Sequence, residues 1–284
     1  MRILPAVIFA FVATLSSAQT RTQDVIYWKN GGCAFTMDVF TPKTSNHRAV
    51  LWLISGGWTS KHEGLDPGMA RMFTDKGFTV FEVVHGSEPK YTIPEILKMI
   101  KRAVRFVRSN ATTYDVSPKG IGLGGFSSGG HLSLFTGAVS DDGDPKANDP
   151  VDRVSSRTDA IATFCAPTDI EAWVSEGGAF PNPAKLGLYQ AFGVNLQTEK
   201  NAAIKTFREL SPADQVKPNF PPTLLVHGDQ DKLVPVQQAK TMDEALQKAN
   251  ITHSLIIVPG GAHDGKTFEG GRSAMLDWFE KYLS

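Results

Sequence analysis

Short β-branched or apolar runs recur along the chain, at Asp24 to Trp28, Phe35 to Phe40, Val50 to Ile54, Thr79 to Val84, Ile121 to Phe126, Ala160 to Cys165, Thr223 to Val226 and Ser254 to Val258. Turn-forming or polar residues bound them, so each is predicted to be a strand. In the second, Phe35, Met37 and Val39 alternate with more polar residues, as in an antiparallel strand with one wet side. The central runs are almost continuously apolar, the pattern of parallel strands buried on both faces. Helix-period stripes lie between the later runs: Ile96, Ile100, Ala103 and Val107; Val236, Ala239, Met242 and Leu246; Met275, Phe279 and Leu283. A strand-rich start followed by strand–helix alternation predicts an α/β domain, one mainly parallel eight-stranded sheet flanked by helices. The segment near 171–210 breaks the rhythm with Gly177, Gly178, Pro181, Pro183 and scattered aromatics. It reads as a lid-like insertion over the carboxyl edge of the sheet, where open α/β sheets bind ligands.

The first residues stand apart from this pattern. Arg2 precedes an apolar run from Ile3 to Leu15, and Ser16-Ser17-Ala18 supplies a small-residue cleavage site. Residues 1–18 are therefore expected to be a secretory signal peptide, and 19–284 a single exported domain, secreted or periplasmic. The competing reading, a membrane anchor, needs about 20 apolar residues. Lys plus Arg and Asp plus Glu number 29 each, so no net field attracts nucleic acid or an anionic membrane. Only two cysteines, Cys33 and Cys165, are present, which excludes a disulfide framework and a cysteine-rich zinc site. Both fall in strand-like runs and are expected to be buried thiols, with a single bridge between them in an oxidising compartment as the alternative.

Gly125-Phe126-Ser127-Ser128-Gly129 matches G-x-S-x-G, in which small residues flank a serine on a sharp strand-to-helix turn. With 26 glycines in 284 residues the match alone is weak, and its context decides. Ile121 to Phe126 reads as the strand and Ser128 to Val139 as the helix. Gly120, Gly122 and Gly125 also fit G-x-G-x-x-G, but there the first two glycines belong in the turn after a strand, and here they fall before or inside it. A dinucleotide site is rejected on that ground.

A serine nucleophile needs a base to take its proton and an acid to orient the base. Among seven histidines, His263 lies past a strand's carboxyl end and downstream of the acids Asp229 and Asp231, giving the order serine, acid, histidine that goes with a G-x-S-x-G elbow. The other six sit in polar loops, at strand ends or in the helix after the elbow, where structural roles explain them. Residue order barely separates Asp229 from Asp231. Ser55-Gly56-Gly57-Trp58, after the third strand, offers backbone amides for an oxyanion hole beside the Ser128 amide.

With these motifs the chain resembles the esterase branch of the α/β-hydrolase family, near feruloyl and acetyl-xylan esterases and the catalytic domain of prolyl oligopeptidases. The resemblance implies a catalytic triad of Ser127, Asp231 and His263 and an oxyanion hole of Gly57, Trp58 and Ser128. It implies hydrolysis of a small-molecule or polysaccharide-linked ester, with no metal or organic cofactor. Two positions depart from the usual pattern: Ser55 stands where a histidine is common, and Ser128 where alanine is common. The competing readings are a serine exopeptidase, since the same triad cleaves amides, and a non-catalytic binding protein on the same fold. Trp58, Trp173, Phe180, Tyr189 and Phe192 are candidates to line a substrate pocket, although each singly reads more simply as packing. Asp141, Asp142, Asp144 and Asp149 lack calcium-loop spacing and read as a solvated turn. The sequence specifies no oligomeric state.

Overall fold

The computed structural model describes residues 19–175, 189–194 and 199–283. Its eight strands form one sheet: β1 (Thr20–Asn30), β2 (Cys33–Thr41), β3 (Ala49–Ile54), β4 (Thr79–Val84), β5 (Ile121–Phe126), β6 (Ala160–Phe164), β7 (Thr223–Gly228) and β8 (His253–Val258). Their spatial order is β1-β2-β4-β3-β5-β6-β7-β8. β1 and β2 enter antiparallel, and every pairing from β4 onward is parallel. The expected mainly parallel eight-stranded sheet is thus found, with strand limits shifted by a few residues.

Register aligns the carboxyl ends. Leu53 pairs with Gly125, Phe126 with Phe164, Phe164 with Val226, and Gly228 with Val258. The residues that follow β3, β5, β7 and β8 therefore emerge along one rim, although far apart in the chain.

Helices cover both faces. One is covered by α1 (Pro67–Thr74) and, at the far end of the chain, by a helix over Gly265–Tyr282; the other by α2 (Ile93–Ser109), α3 (Ser128–Val139) and a helix over Gln237–Lys248. The α2 stripe is fully buried, and a Thr92–Glu95 capping box starts that helix. The two C-terminal stripes are buried likewise through Ala239, Met242, Leu246, Met275, Phe279 and Leu283. Within 171–210 the described residues form α4 (Ile170–Ser175), α5 (Tyr189–Phe192) and α6 (Lys200–Glu209), which makes the last two helices α7 and α8. Trp173, Phe192 and Phe207 from this segment join the core on the α3 side.

Three expectations change. The second face of β2 is wet only at its start, where Ala34 is exposed and Thr36 half-buried: further on, Phe40 is buried beneath α1, and Asp38 is buried because Arg21 Nε donates to it at 2.5 Å. Cys33 is half-buried, with Lys90 Nζ and Tyr91 Oη each 3.3 Å from its Sγ, whereas Cys165 is buried; both are free thiols. Three of the four aspartates of 141–149 are ion-paired rather than simply solvated, while Asp144 caps a turn by accepting the Lys146 amide. Lys101 and Arg105 bind Asp141, Arg157 binds Asp142 at 2.6 Å, and Arg102 binds Asp149 at 2.5 Å. The cations of α2 thereby fasten that loop to the domain. No described helix is long and apolar enough to cross a membrane.

Candidate active site

Ser127 stands between β5 and α3 with φ +56° and ψ −123°, outside the regions that a serine ordinarily occupies. The surroundings hold that conformation. Its amide extends the sheet ladder by donating to Phe164 O at 2.8 Å, and its carbonyl accepts from the His131 amide at 3.0 Å. A Cβ on Gly125 would lie 2.6 Å from the Gly129 carbonyl carbon, so the turn closes this tightly only with glycine there. That is the physical content of the small residues flanking the serine.

The rim brings Asp231 and His263 to it. His263 Nε2 is 2.8 Å from Ser127 Oγ, and His263 Nδ1 is 2.7 Å from Asp231 Oδ2. A carboxylate only accepts, so Nδ1 carries the proton and Nε2 presents a lone pair to the serine hydroxyl. The edge of the Phe126 ring, 5.0 Å between centres at 74°, supports the imidazole from the side. The acid and base loops touch each other as well: Gln230 N donates to Gly261 O at 2.8 Å. Asp229 takes no part in this chain. It is exposed and accepts the Gly260 amide at 2.7 Å, bracing the base loop.

Asp231 is 6% exposed. Burial alone raises a carboxyl pKa, yet bonds from His227, His263 and the Val234 amide outweigh it and hold this one well below the usual range. His227, read from sequence as a structural strand-end residue, has its Nε2 3.4 Å from Asp231 Oδ2 while donating to Val234 O at 2.7 Å. Cys165, His227 and Asp231 together are the one metal-capable group among the described residues. The chemistry does not suit a metal. His227 Nε2 is committed to a carbonyl, Asp231 to His263, and burial pushes the Cys165 thiol far up, away from thiolate.

Opposite the serine, Gly56 and Thr59 exchange two backbone bonds, at 2.9 and 3.0 Å, across a two-residue turn. Gly57 and Trp58 occupy its tip with φ +56° and +60°, the positive values that such a turn demands. Neither tip amide has an acceptor among the described residues. Ser128 opens α3, so its amide is one of the first-turn donors that a helix leaves unpaired. The two departures from the usual pattern prove to be one interaction, since Ser55 Oγ and Ser128 Oγ lie 3.0 Å apart and join the turn to the elbow. Both residues are visible in the sequence, but their contact is not.

Of the aromatics proposed to line a pocket, Trp58, Trp173 and Phe192 pack on one another, with Trp58 5.1 Å from Phe192 and 6.1 Å from Trp173 between ring centres. All three are buried. Phe180 lies outside the described residues, and only the backbone of Tyr189 is described. A cavity of about 480 Å³ beneath α1 and α8, lined by Trp52, Met72, Phe126 and Phe268, includes none of the three residues of the hydrogen-bonded chain.

Known proteins carry the same architecture. Probable carboxylic ester hydrolase LipM of Mycobacterium tuberculosis is 27% identical over 204 residues, 71% of this chain and 45% of LipM. The chain spans about half the length of the curated relatives it matches. An acetyl ester-xyloside bifunctional hydrolase from Caldicellulosiruptor lactoaceticus superposes with a TM-score of 0.74 at 26% identity, covering 91% of this chain and 93% of that one. A bifunctional GH43-CE protein of Bacteroides eggerthii gives 0.78 at 25%, covering 93% of this chain and 35% of its own. The BD-FAE family model matches residues 37–246, a span that runs from β2 to α7 and includes the elbow, the oxyanion turn and the acid. By fold, by relatives and by that match over most of its length, the chain belongs to the BD-FAE family of α/β-hydrolase esterases.

Proposed function

We propose that this protein is a serine hydrolase that cleaves carboxylic esters through an acyl-enzyme. The observation that carries the reading is the unbroken chain from Ser127 Oγ through His263 to Asp231, with bonds of 2.8 and 2.7 Å. His263 Nε2 takes the proton of Ser127 as Oγ attacks the ester carbonyl. The carbonyl oxygen becomes an oxyanion, which the amides of Gly57, Trp58 and Ser128 receive. Removing one such donor typically costs about 3 kcal/mol of transition-state stabilisation. Asp231 keeps the imidazole oriented and stabilises its charged form. His263 then returns the proton to the leaving alcohol, and a water, deprotonated by the same imidazole, releases the acid and regenerates Ser127.

The substrate class that the relatives favour is an acetyl ester on a xylan-type polysaccharide. One similar structure is a hydrolase of acetyl esters and xylosides, and a region of endo-1,4-beta-xylanase B of Butyrivibrio fibrisolvens is 26% identical to this chain. Export fits a polymeric substrate, and we take residues 1–18 as the cleaved leader. Gln19, the first residue after that cut, is held to α1, donating to Pro67 O and accepting from Thr74 Oγ1, both at 2.8 Å.

The test is a panel of p-nitrophenyl acetate, acetylated xylan, methyl ferulate and aminoacyl-naphthylamides, run on purified wild type and Ser127→Ala. The expected result is ester hydrolysis that falls about a million-fold in the variant, with a fluorophosphonate adduct mapped to Ser127 in wild type. Activity retained by Ser127→Ala removes the serine mechanism, and cleavage of the naphthylamides alone favours a peptidase.

A further inference from the structure

Trp58 contributes an amide at the tip of the oxyanion turn with its backbone at φ +60°, a conformation that a bulky residue keeps only when its surroundings over-determine it. The indole is 1% exposed and stands edge-on to His131, with ring centres 5.4 Å apart at 87°. Its Nε1–H donates to His131 Nδ1 at 3.1 Å, and His131 Nε2 donates to Leu210 O at 2.9 Å. An indole N–H only donates and a carbonyl only accepts, so the imidazole tautomer is dictated from both sides. A second proton would set N–H against N–H. Burial, which drives the His131 pKa down to about 4, keeps the ring neutral in that tautomer.

His131 also sits one helical turn beyond the nucleophile, and its own amide donates to Ser127 O at 3.0 Å. One residue therefore touches three parts at once: the elbow, the oxyanion turn and the carboxyl end of α6. Trp173 and Phe192, from α4 and α5, close around the same indole.

We propose that His131 is a positioning residue of the oxyanion hole, pinning the Trp58 indole so that the turn's amides face the same point as the Ser128 amide. Leu210 accepts from His131 while Trp173 and Phe192 pack on the Trp58 indole, so the same contacts tie that turn to α4, α5 and the end of α6. The inference rests on the acyl-transfer reading above.

Three variants test it. His131→Phe keeps the ring and removes the acceptor, His131→Asn restores an acceptor near the Nδ1 position, and Trp58→Phe removes the donor. Turnover of p-nitrophenyl acetate, affinity for an aryl boronic acid that forms a tetrahedral adduct with the serine, and thermal unfolding are measured on each. His131→Phe and Trp58→Phe are expected to lower kcat about ten- to hundred-fold with KM within about three-fold, and to weaken the boronate in parallel. The double variant should be no worse than the poorer single, because both remove one bond. His131→Asn should recover most of the loss. Wild-type kcat and boronate affinity in folded His131→Phe overturn the proposal, as do a loss confined to KM or single losses that multiply. If His131→Phe does not fold, the same readouts on Trp58→Phe decide alone. A wild-type protein that hydrolyses no ester and takes no label at Ser127 overturns the esterase reading and this inference with it. Active wild type beside an unaffected His131→Phe removes only the role of His131.

Discussion

Replacing Asp231 by asparagine alters one atom, and the structure dictates which way the new amide turns. Asp231 Oδ1 accepts two backbone amides, Leu233 N and Val234 N, each at 2.9 Å, while Oδ2 accepts His263 Nδ1 at 2.7 Å. Only the oxygen of an asparagine can satisfy the two backbone donors, so its NH₂ must occupy the Oδ2 position. His263 then accepts at Nδ1 and carries its proton on Nε2, facing Ser127 with a donor where a base is required. The two backbone bonds to residue 231 are kept, and the chemistry loses its tautomer. In serine enzymes such an exchange lowers kcat by about 10⁴, or roughly 5.5 kcal/mol of activation free energy. The assay is kcat on p-nitrophenyl acetate for Asp231→Asn, with thermal unfolding alongside. Asp229→Asn serves as the control, since among the described residues the Asp229 side chain bonds only the Gly260 amide, which an asparagine oxygen accepts equally, and it should stay within about three-fold of wild type. A loss under ten-fold in Asp231→Asn, or an equal loss in Asp229→Asn, refutes the assignment of the acid.

Two further predictions concern the oxyanion turn and the core. Ser55→Ala and Ser128→Ala remove the same 3.0 Å bond, so each should lower kcat by about three- to ten-fold and the double variant no further; multiplying losses in the cycle would show two independent roles. Glu82 is fully buried, and burial lifts its pKa to about 7 despite the bond from the Asp66 amide at 2.8 Å. The folded state then holds a proton that the unfolded chain releases near the ordinary carboxyl value, so stability falls as pH rises through that window. Between pH 5 and 8 wild type should lose about 2 to 3 kcal/mol relative to Glu82→Gln, read by denaturant titration at each pH, and parallel profiles would show that Glu82 is ionised throughout.

The fold was legible because burial imposes periodicity. A strand buried on both faces must be apolar throughout, as Val50 to Ile54 is, and a helix resting on a sheet must repeat its apolar residues as Ile96, Ile100, Ala103 and Val107 do. The pattern failed where a polar residue was buried with its partner. Asp38 in β2 reads as a wet position because the Arg21 that neutralises it comes from another strand. Asp141, Asp142 and Asp149 after α3 read as a solvated turn because their cations belong to α2 and to a later loop.

The site divides in the same way. Local geometry demands particular residues at the elbow, where Gly125 cannot carry a Cβ, so the nucleophile is marked within five consecutive residues. Chain order and strand ends narrow the base to His263 and the acid to two aspartates. Which aspartate bonds the imidazole depends on a loop path set by contacts with the base loop, and no local rule encodes it. The Ser55–Ser128 bond joins residues 73 apart, His131 reaches Trp58 over the same separation, and His227 approaches Asp231 only once β7 is in the sheet. Backbone conformation and burial are short-range demands that each segment records in its own residues. A hydrogen bond between distant segments is recorded nowhere until the sheet's register brings their ends to one rim.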